Sequence, residues 1–168
     1  FAQMDAANVD LKAFRDEVYR KYVGARLQPV LDSMRKMKEL GIWLEVTTLV
    51  IPEINDDPDE LRDAAHFVAE ELGPETPWHI SRFHPMYKLT DVPPTPAETL
   101  RRAQEIGKEA GLRYVYVGNL PGEANTVCHE CGELLIRRYG YQIRENHIAD
   151  GERCPNCGTP VAGVGMAG

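Results

Sequence analysis

The sequence predicts an α/β protein in which strands alternate with helices to build a parallel sheet, followed by a small metal-stapled module. Four strand-like runs begin near Asn8, Trp43, Trp78 and Arg113, each 35 residues after the last. Repetition on that scale points to βα units, whose crossovers return the chain to the same edge and make neighbouring strands parallel. A helical apolar period follows each of the first three runs. All four cysteines fall near the carboxyl end, in two Cys-x2-Cys pairs.

The first strand is "VDLKAF"; with Asn8 just before it, Asn8, Asp10 and Lys12 alternate with Val9, Leu11 and Ala13. Alternation sends the polar set to one face and the apolar set to the helix layer. The first helix carries Leu27, Val30, Leu31, Met34 and Met37 on one face of a 3.6-residue period, and Gly41 stops it. The second strand is "WLEVTTLVI". The next helix opens on "DPDE", with Asp57 as N-cap, Pro58 at the first helical position and Glu60 reaching back, and its face is Leu61, Ala64, Ala65, Val68 and Leu72. Gly73 and Pro74 end it. "WHISRF" is the third strand, with Trp78 and Phe83 in the core. A third helix starts from "TPAE", with Thr95 as cap and Glu98 reaching back, and closes at Gly111. "RYVYV" is the fourth strand. The turn-rich "GNLPGEAN" then separates a first domain, 1–119, from a second, 120–168.

A sheet built this way either closes into a barrel or stays open with helices on both faces, and either form places sites at the carboxyl ends of its strands. Asp10, Lys12, Asn55, Asp56, His79, His84 and Asn119 collect there. An Asp and a Lys on one strand face must pair with each other or serve a ligand, since lone buried charges are costly. Both readings are open on spacing alone. His79 shares its face with Ser81, and Pro85 breaks the run into a loop where such folds build sites. His79 and Asp10 also suit the acid/base pair of a barrel hydrolase.

Cys128, Cys131, Cys154 and Cys157 form two knuckles separated by 22 residues. Four thiolates make the closed tetrahedral sphere of structural zinc, with no position open for substrate. Disulfides and a four-cysteine iron site are the alternatives; paired knuckles in a reducing compartment favour metal. Metal binding would supply folding free energy to a module too small for its own core. "ELLIRRYGYQI" would form the hairpin of a zinc ribbon, with His129 and His147 in solvent.

The 168 residues, 43% hydrophobic and 27% charged, describe a folded chain. A net charge of −7 repels phosphate backbones and anionic lipid, and the segment from Leu120 onward holds four Arg against six Asp and Glu. Nucleic acid and membrane are therefore not expected partners. The first residues carry no signal-peptide pattern, so a cytoplasmic protein is expected. The chain opens on Phe1 inside a strand unit, as the back part of a longer protein would.

Together, "DAANVDLKAF", "EVTTLVIPEINDD", "PWHISRFHPMYKL", "TPAETLRRAQEIGKEAGLRYVYVGN" and the terminal cysteine pairs resemble the back half of AmmeMemoRadiSam-system radical S-adenosylmethionine enzymes, relatives of pyruvate formate-lyase activating enzyme. The resemblance implies four units of a partial (β/α)6 barrel ahead of the ribbon. It further implies S-adenosylmethionine cleaved reductively at a [4Fe-4S] cluster, giving a 5′-deoxyadenosyl radical for hydrogen abstraction. An electron donor such as flavodoxin or ferredoxin, and a substrate that includes proteins among its candidates, would be the partners. By motif, Asp10 and Lys12 of "DLK" and His79 of "PWH" would contact S-adenosylmethionine. The Cys-x3-Cys-x2-Cys cluster loop of that family is absent from this chain, Thr47 stands where activases tend to carry a basic residue, and Glu53 where glycine is usual. The rival from another class is a non-catalytic module, with the ribbon as a docking surface on a βα scaffold.

Overall fold

The structure, a computed structural model, describes residues 4–140 and 142–166. Phe1, at the opening of the chain, and Tyr141, within the expected hairpin, lie outside the described residues. The chain divides into two compact units, Phe1–Asn119 and Leu120–Gly168.

The first unit is a four-stranded parallel sheet of β1 (Ala6–Asp10), β2 (Trp43–Val50), β3 (Trp78–Arg82) and β4 (Val115–Gly118), in that spatial order. An order that never reverses has no switch point. With right-handed crossovers, connections between strands in this order lie on one side of the sheet. Burial follows this geometry: Leu44, Val46, Thr48 and Val50 of β2 are buried, while Trp43, Glu45, Thr47 and Leu49 are partly exposed. One face is core and the other is open and polar.

A short helical segment, α1 (Asp16–Val18), widens into a π-helical turn at Tyr19–Val23. The sequence reading missed it because its apolar residues are too few to set a period. Asp16 then caps the next helix, α2 (Leu27–Glu39), from outside it: its Oδ1 accepts from the Leu27 N–H at 3.0 Å. That hydrogen bond is the main cause holding the Asp16 carboxyl below its usual range. Leu31 and Met34 bury the inner face of α2.

α3 (Pro58–His66) starts as expected at Asp57, whose side chain accepts from the Asp59 and Glu60 N–H groups, and it continues as a π-helical stretch, Phe67–Leu72. Glu60 does not reach back to this cap. Its carboxylate accepts from the Phe14 N–H at 2.6 Å instead, clamping the loop after β1, and burial raises its pKa. Thr95 likewise leaves its expected cap. It is wholly buried, donating to the Val50 carbonyl and accepting from the Phe83 N–H. Pro96 therefore precedes α4 (Ala97–Glu109) without a side-chain cap. In both cases a backbone group distant in sequence outcompeted the local helix end.

The second unit is an antiparallel sheet of β5 (Thr126–Val127), β6 (Leu134–Tyr139) and β7 (Gln142–Asn146). Its small core is Leu135, Ile136, Ile148 and Val161 with the buried Cys128 and Cys154. Among the described residues, no helix is long and apolar enough to cross a membrane.

Candidate functional site

The polar face of the first sheet is organised by register. Asp10 pairs with Thr47, Thr47 with His79, and His79 with Tyr116, so four residues on four strands stand in one row. Parallel register puts in-line side chains on the same face. The next row toward the carboxyl ends holds Leu49, Ser81 and Gly118.

β1 ends at Asp10, earlier than expected, yet the alternation persists beyond it: Asn8, Asp10 and Lys12 are exposed while Leu11 and Ala13 are buried. Leu11 still donates its N–H to the Thr47 carbonyl. Lys12 Nζ lies 2.7 Å from Asp10 Oδ2, with both side chains about half exposed. The two charges expected on this strand are thus paired with each other, at an accessible position. The backbone beneath them is held firmly. The Lys12 N–H donates to the Tyr19 hydroxyl, and the Lys12 carbonyl accepts from Asn55 Nδ2.

Asn55, expected among the residues that form the site, is 2% exposed and structural. Its amide also donates to the Leu49 carbonyl, while its Oδ1 accepts from the Ile51 N–H. Asp56 accepts from the Glu53 N–H at 2.8 Å and holds Glu53 at φ +63°. That left-handed conformation is the reason glycine suits this position.

His79 does not meet Asp10. With Thr47 between them, their backbones lie two strand spacings apart, about 9.6 Å, so neither is the other's direct hydrogen-bond partner. The partner of His79 is Glu45, whose Oε2 is 2.8 Å from His79 Nε2. Glu45 Oε1 accepts from Trp43 Nε1 at 3.3 Å. Hydrogen bonding to His79 is the main cause that lowers the Glu45 pKa. Tyr116 stacks on the imidazole, with ring centroids 5.3 Å apart and planes at 25°. Neither Glu45 nor Tyr116 was identified from sequence. The charge of Glu45 on an alternating strand is the one signal that pointed toward it. His84 lies exposed in the loop that follows β3, and Asn119 donates from Nδ2 to the Arg82 carbonyl.

In the second unit the four cysteines converge, and their sulfurs all lie within 4.8 Å of one another. Cys128 and Cys157 sulfurs are 3.6 Å apart, and those of Cys131 and Cys154 3.7 Å. Disulfide bonds need about 2.05 Å, so the pairing alternative does not hold; all four are free thiols. A tetrahedron with Zn–S near 2.3 Å has edges of about 3.8 Å, and the donor set fits such a metal. The knuckles share one construction. The Cys128 carbonyl accepts from the Gly132 N–H and the Cys154 carbonyl from the Gly158 N–H, both at 2.9 Å. Gly132 and Gly158 take φ near +75°, which glycine adopts without a steric cost. Burial pushes the Cys128 thiol up to about 11. Hydrogen bonding from the Thr159 hydroxyl and N–H draws Cys157 down to about 6. A metal cation would override this asymmetry by taking all four as thiolates. His147 pairs with Glu145 at 2.9 Å and His129 is half-buried; neither belongs to the cysteine group.

The fold of this chain has a likeness among solved structures. A domain of pyruvate-formate lyase-activating enzyme from Bacteroides vulgatus superposes with a TM-score of 0.60, covering 68% of each chain at 17% identity. That likeness is one of fold. In sequence, an uncharacterized protein of Methanocaldococcus jannaschii is 50% identical over 161 residues, 94% of this chain and 48% of the relative. The chain spans about half the length of the curated relative it matches. No family model matches it.

Proposed function

We propose that the chain is the C-terminal part of a radical S-adenosylmethionine enzyme, with four βα units of a partial (β/α)6 barrel and a structural zinc ribbon. The observation that carries this reading is the register row Asp10, Thr47, His79 and Tyr116 on the polar face of a sheet ordered without reversal. A barrel strand sequence has that order, and its interior is the face on which these side chains stand. The likeness of fold to an activating-enzyme domain supports the same reading.

The residues present suit the cofactor. An amino-acid end carries one carboxylate and one ammonium, and the accessible Asp10–Lys12 pair offers the two opposite charges to meet them. The stacked His79 and Tyr116 rings offer a π surface and a polar edge to a nucleoside. The chemistry that bound S-adenosylmethionine supplies in such enzymes is a 5′-deoxyadenosyl radical for hydrogen abstraction. The role of this chain's residues is to bind and orient that cofactor. A [4Fe-4S] cluster would need ligands other than this chain's cysteines, whose sulfurs all lie within 4.8 Å of one another, the spacing of donors around a single metal ion. The partners implied are a low-potential electron carrier such as flavodoxin or ferredoxin, and a hydrogen-donating substrate with proteins among its candidates. The cytoplasm would be the setting.

The test is calorimetric titration of S-adenosylmethionine into the product of the full open reading frame, with and without Lys12→Ala. Loss of the charged contact should weaken binding at least about tenfold, the effect of a hydrogen bond between charged groups. Unchanged affinity returns Lys12 to a plain ion pair. Absence of any binding favours the rival reading, a non-catalytic module with the closed four-thiolate ribbon as its docking surface.

A further inference from the structure

We propose that Glu45 is a positioning residue that fixes the tautomer of His79, keeping its proton on Nε2 and leaving Nδ1 as a hydrogen-bond acceptor for a ligand N–H or O–H on the polar sheet face. The argument begins with what each group can offer. An ionised carboxylate accepts hydrogen bonds and donates none. Glu45 Oε2 is 2.8 Å from Nε2, so a neutral imidazole in this contact must carry its hydrogen on Nε2. Hydrogen bonding to His79 also lowers the Glu45 pKa, which keeps the carboxylate in its acceptor-only form.

Glu45 is itself held. Its other oxygen accepts from Trp43 Nε1 at 3.3 Å. Tyr116 stacks on the ring from the next strand and limits its rotation. The imidazole is thus fixed in plane by one neighbour and in tautomer by the other. Among the described residues, Nδ1 has no hydrogen-bond partner, and the His79 side chain remains 31% exposed. A fixed, solvent-accessible acceptor beside a stacked aromatic suits a hydroxyl or amine of a nucleoside. Identification of that ligand as a nucleoside rests on the cofactor reading; the role of Glu45 does not.

The experiment is long-range proton–nitrogen correlation on the imidazole nitrogens of the full chain in alkaline buffer, where histidine is neutral. The expected result is a protonated Nε2, a bare Nδ1, and an Nε2 proton slow enough in exchange to be observed. In Glu45→Leu that proton should exchange at least about tenfold faster, in line with loss of a hydrogen bond to a charged group. Tyr116→Leu, which leaves the carboxylate in place, should keep the Nε2–H. Protonated Nδ1 in the wild type, or exchange unaltered by Glu45→Leu, overturns the proposal. Because the wild-type spectrum alone can contradict it, the test survives a variant that fails to fold. Adenosine added to the same sample separates the two ideas. An Nδ1 shift that appears only with Glu45 present supports both. Fixed Nε2–H without an adenosine shift supports Glu45 and counts against the cofactor reading; an adenosine shift without fixed Nε2–H does the reverse.

Discussion

The first unit keeps its polar groups in pairs on an open sheet face, one along the first strand and one between strands, whereas the second turns four sulfurs inward on one point. Asp10–Lys12 and Glu45–His79 are partly exposed pairs above a core built from Leu44, Val46, Trp78 and Ile80. That core supports the fold, so the polar face is free to serve a ligand. The second unit has six residues in its core cluster, two of them cysteines, and a module of that size would draw folding free energy from a metal held by its four cysteines. Polar residues in the two units therefore carry different loads: removing them should cost binding in one and structure in the other.

The largest expected effect lies in the ribbon. Purified chain should contain one equivalent of zinc by elemental analysis, and Cys128→Ala or a strong chelator should abolish the ordered signals of Leu135, Ile136 and Ile148. Structural zinc is worth about 10 kcal/mol or more, so partial loss is not expected. Less than half an equivalent of zinc with four free thiols would contradict a structural zinc site. In the sheet the nearest counterpart is a core residue. Trp78 is wholly buried, with Nε1 donating to the Thr48 hydroxyl at 3.0 Å. Trp78→Ala should cost about 3–5 kcal/mol in urea denaturation.

Asn55→Ala comes next. It strips hydrogen bonds from the Lys12 and Leu49 carbonyls and the Ile51 N–H. A cost of about 2–3 kcal/mol is expected, with faster amide exchange in the loop around Lys12.

Two glutamates sharpen the contrast within the sheet through pH. Glu45 has a lowered folded pKa. Its contribution is therefore present above the unfolded value of about 4.3 and fades as pH falls through the lower folded value. Glu60 has a raised one, because it is buried; the folded state holds its proton longer, and stability falls as pH rises from the unfolded to the folded value. Denaturation midpoints against pH should show Glu45→Gln flattening the acid limb and Glu60→Gln relieving the loss above it. The reverse assignment would undo the electrostatic account. The smallest effect should be Lys12→Ala, which removes an exposed ion pair worth under about 1 kcal/mol of stability. A larger loss would make Lys12 a structural residue rather than one available to a ligand.

These comparisons also mark what the sequence disclosed. Alternation placed Asp10 and Lys12 on one face, Asp57 and Pro58 announced their helix, and paired Cys-x2-Cys motifs announced four converging thiols; all of these are local signals. Glu45 escaped because its partner stands on the next strand, and register between parallel strands is not written in either one. Thr95 and Glu60 misled for the same reason. Each matches a helix-start pattern, yet each is used by backbone groups distant in sequence, Val50 and Phe83 in one case and Phe14 in the other. Tyr19 holds the backbone at Lys12 from a helical turn too short to set a period.

The cofactor reading is tested most directly by titrating S-adenosylmethionine into the isotopically labelled product of the full open reading frame and following the backbone amides of this chain's residues. The account predicts saturable shifts that cluster at Asp10, Lys12, Thr47, His79 and Tyr116 and weaken in Lys12→Ala. Shifts confined to the ribbon, or none at millimolar cofactor, would contradict it.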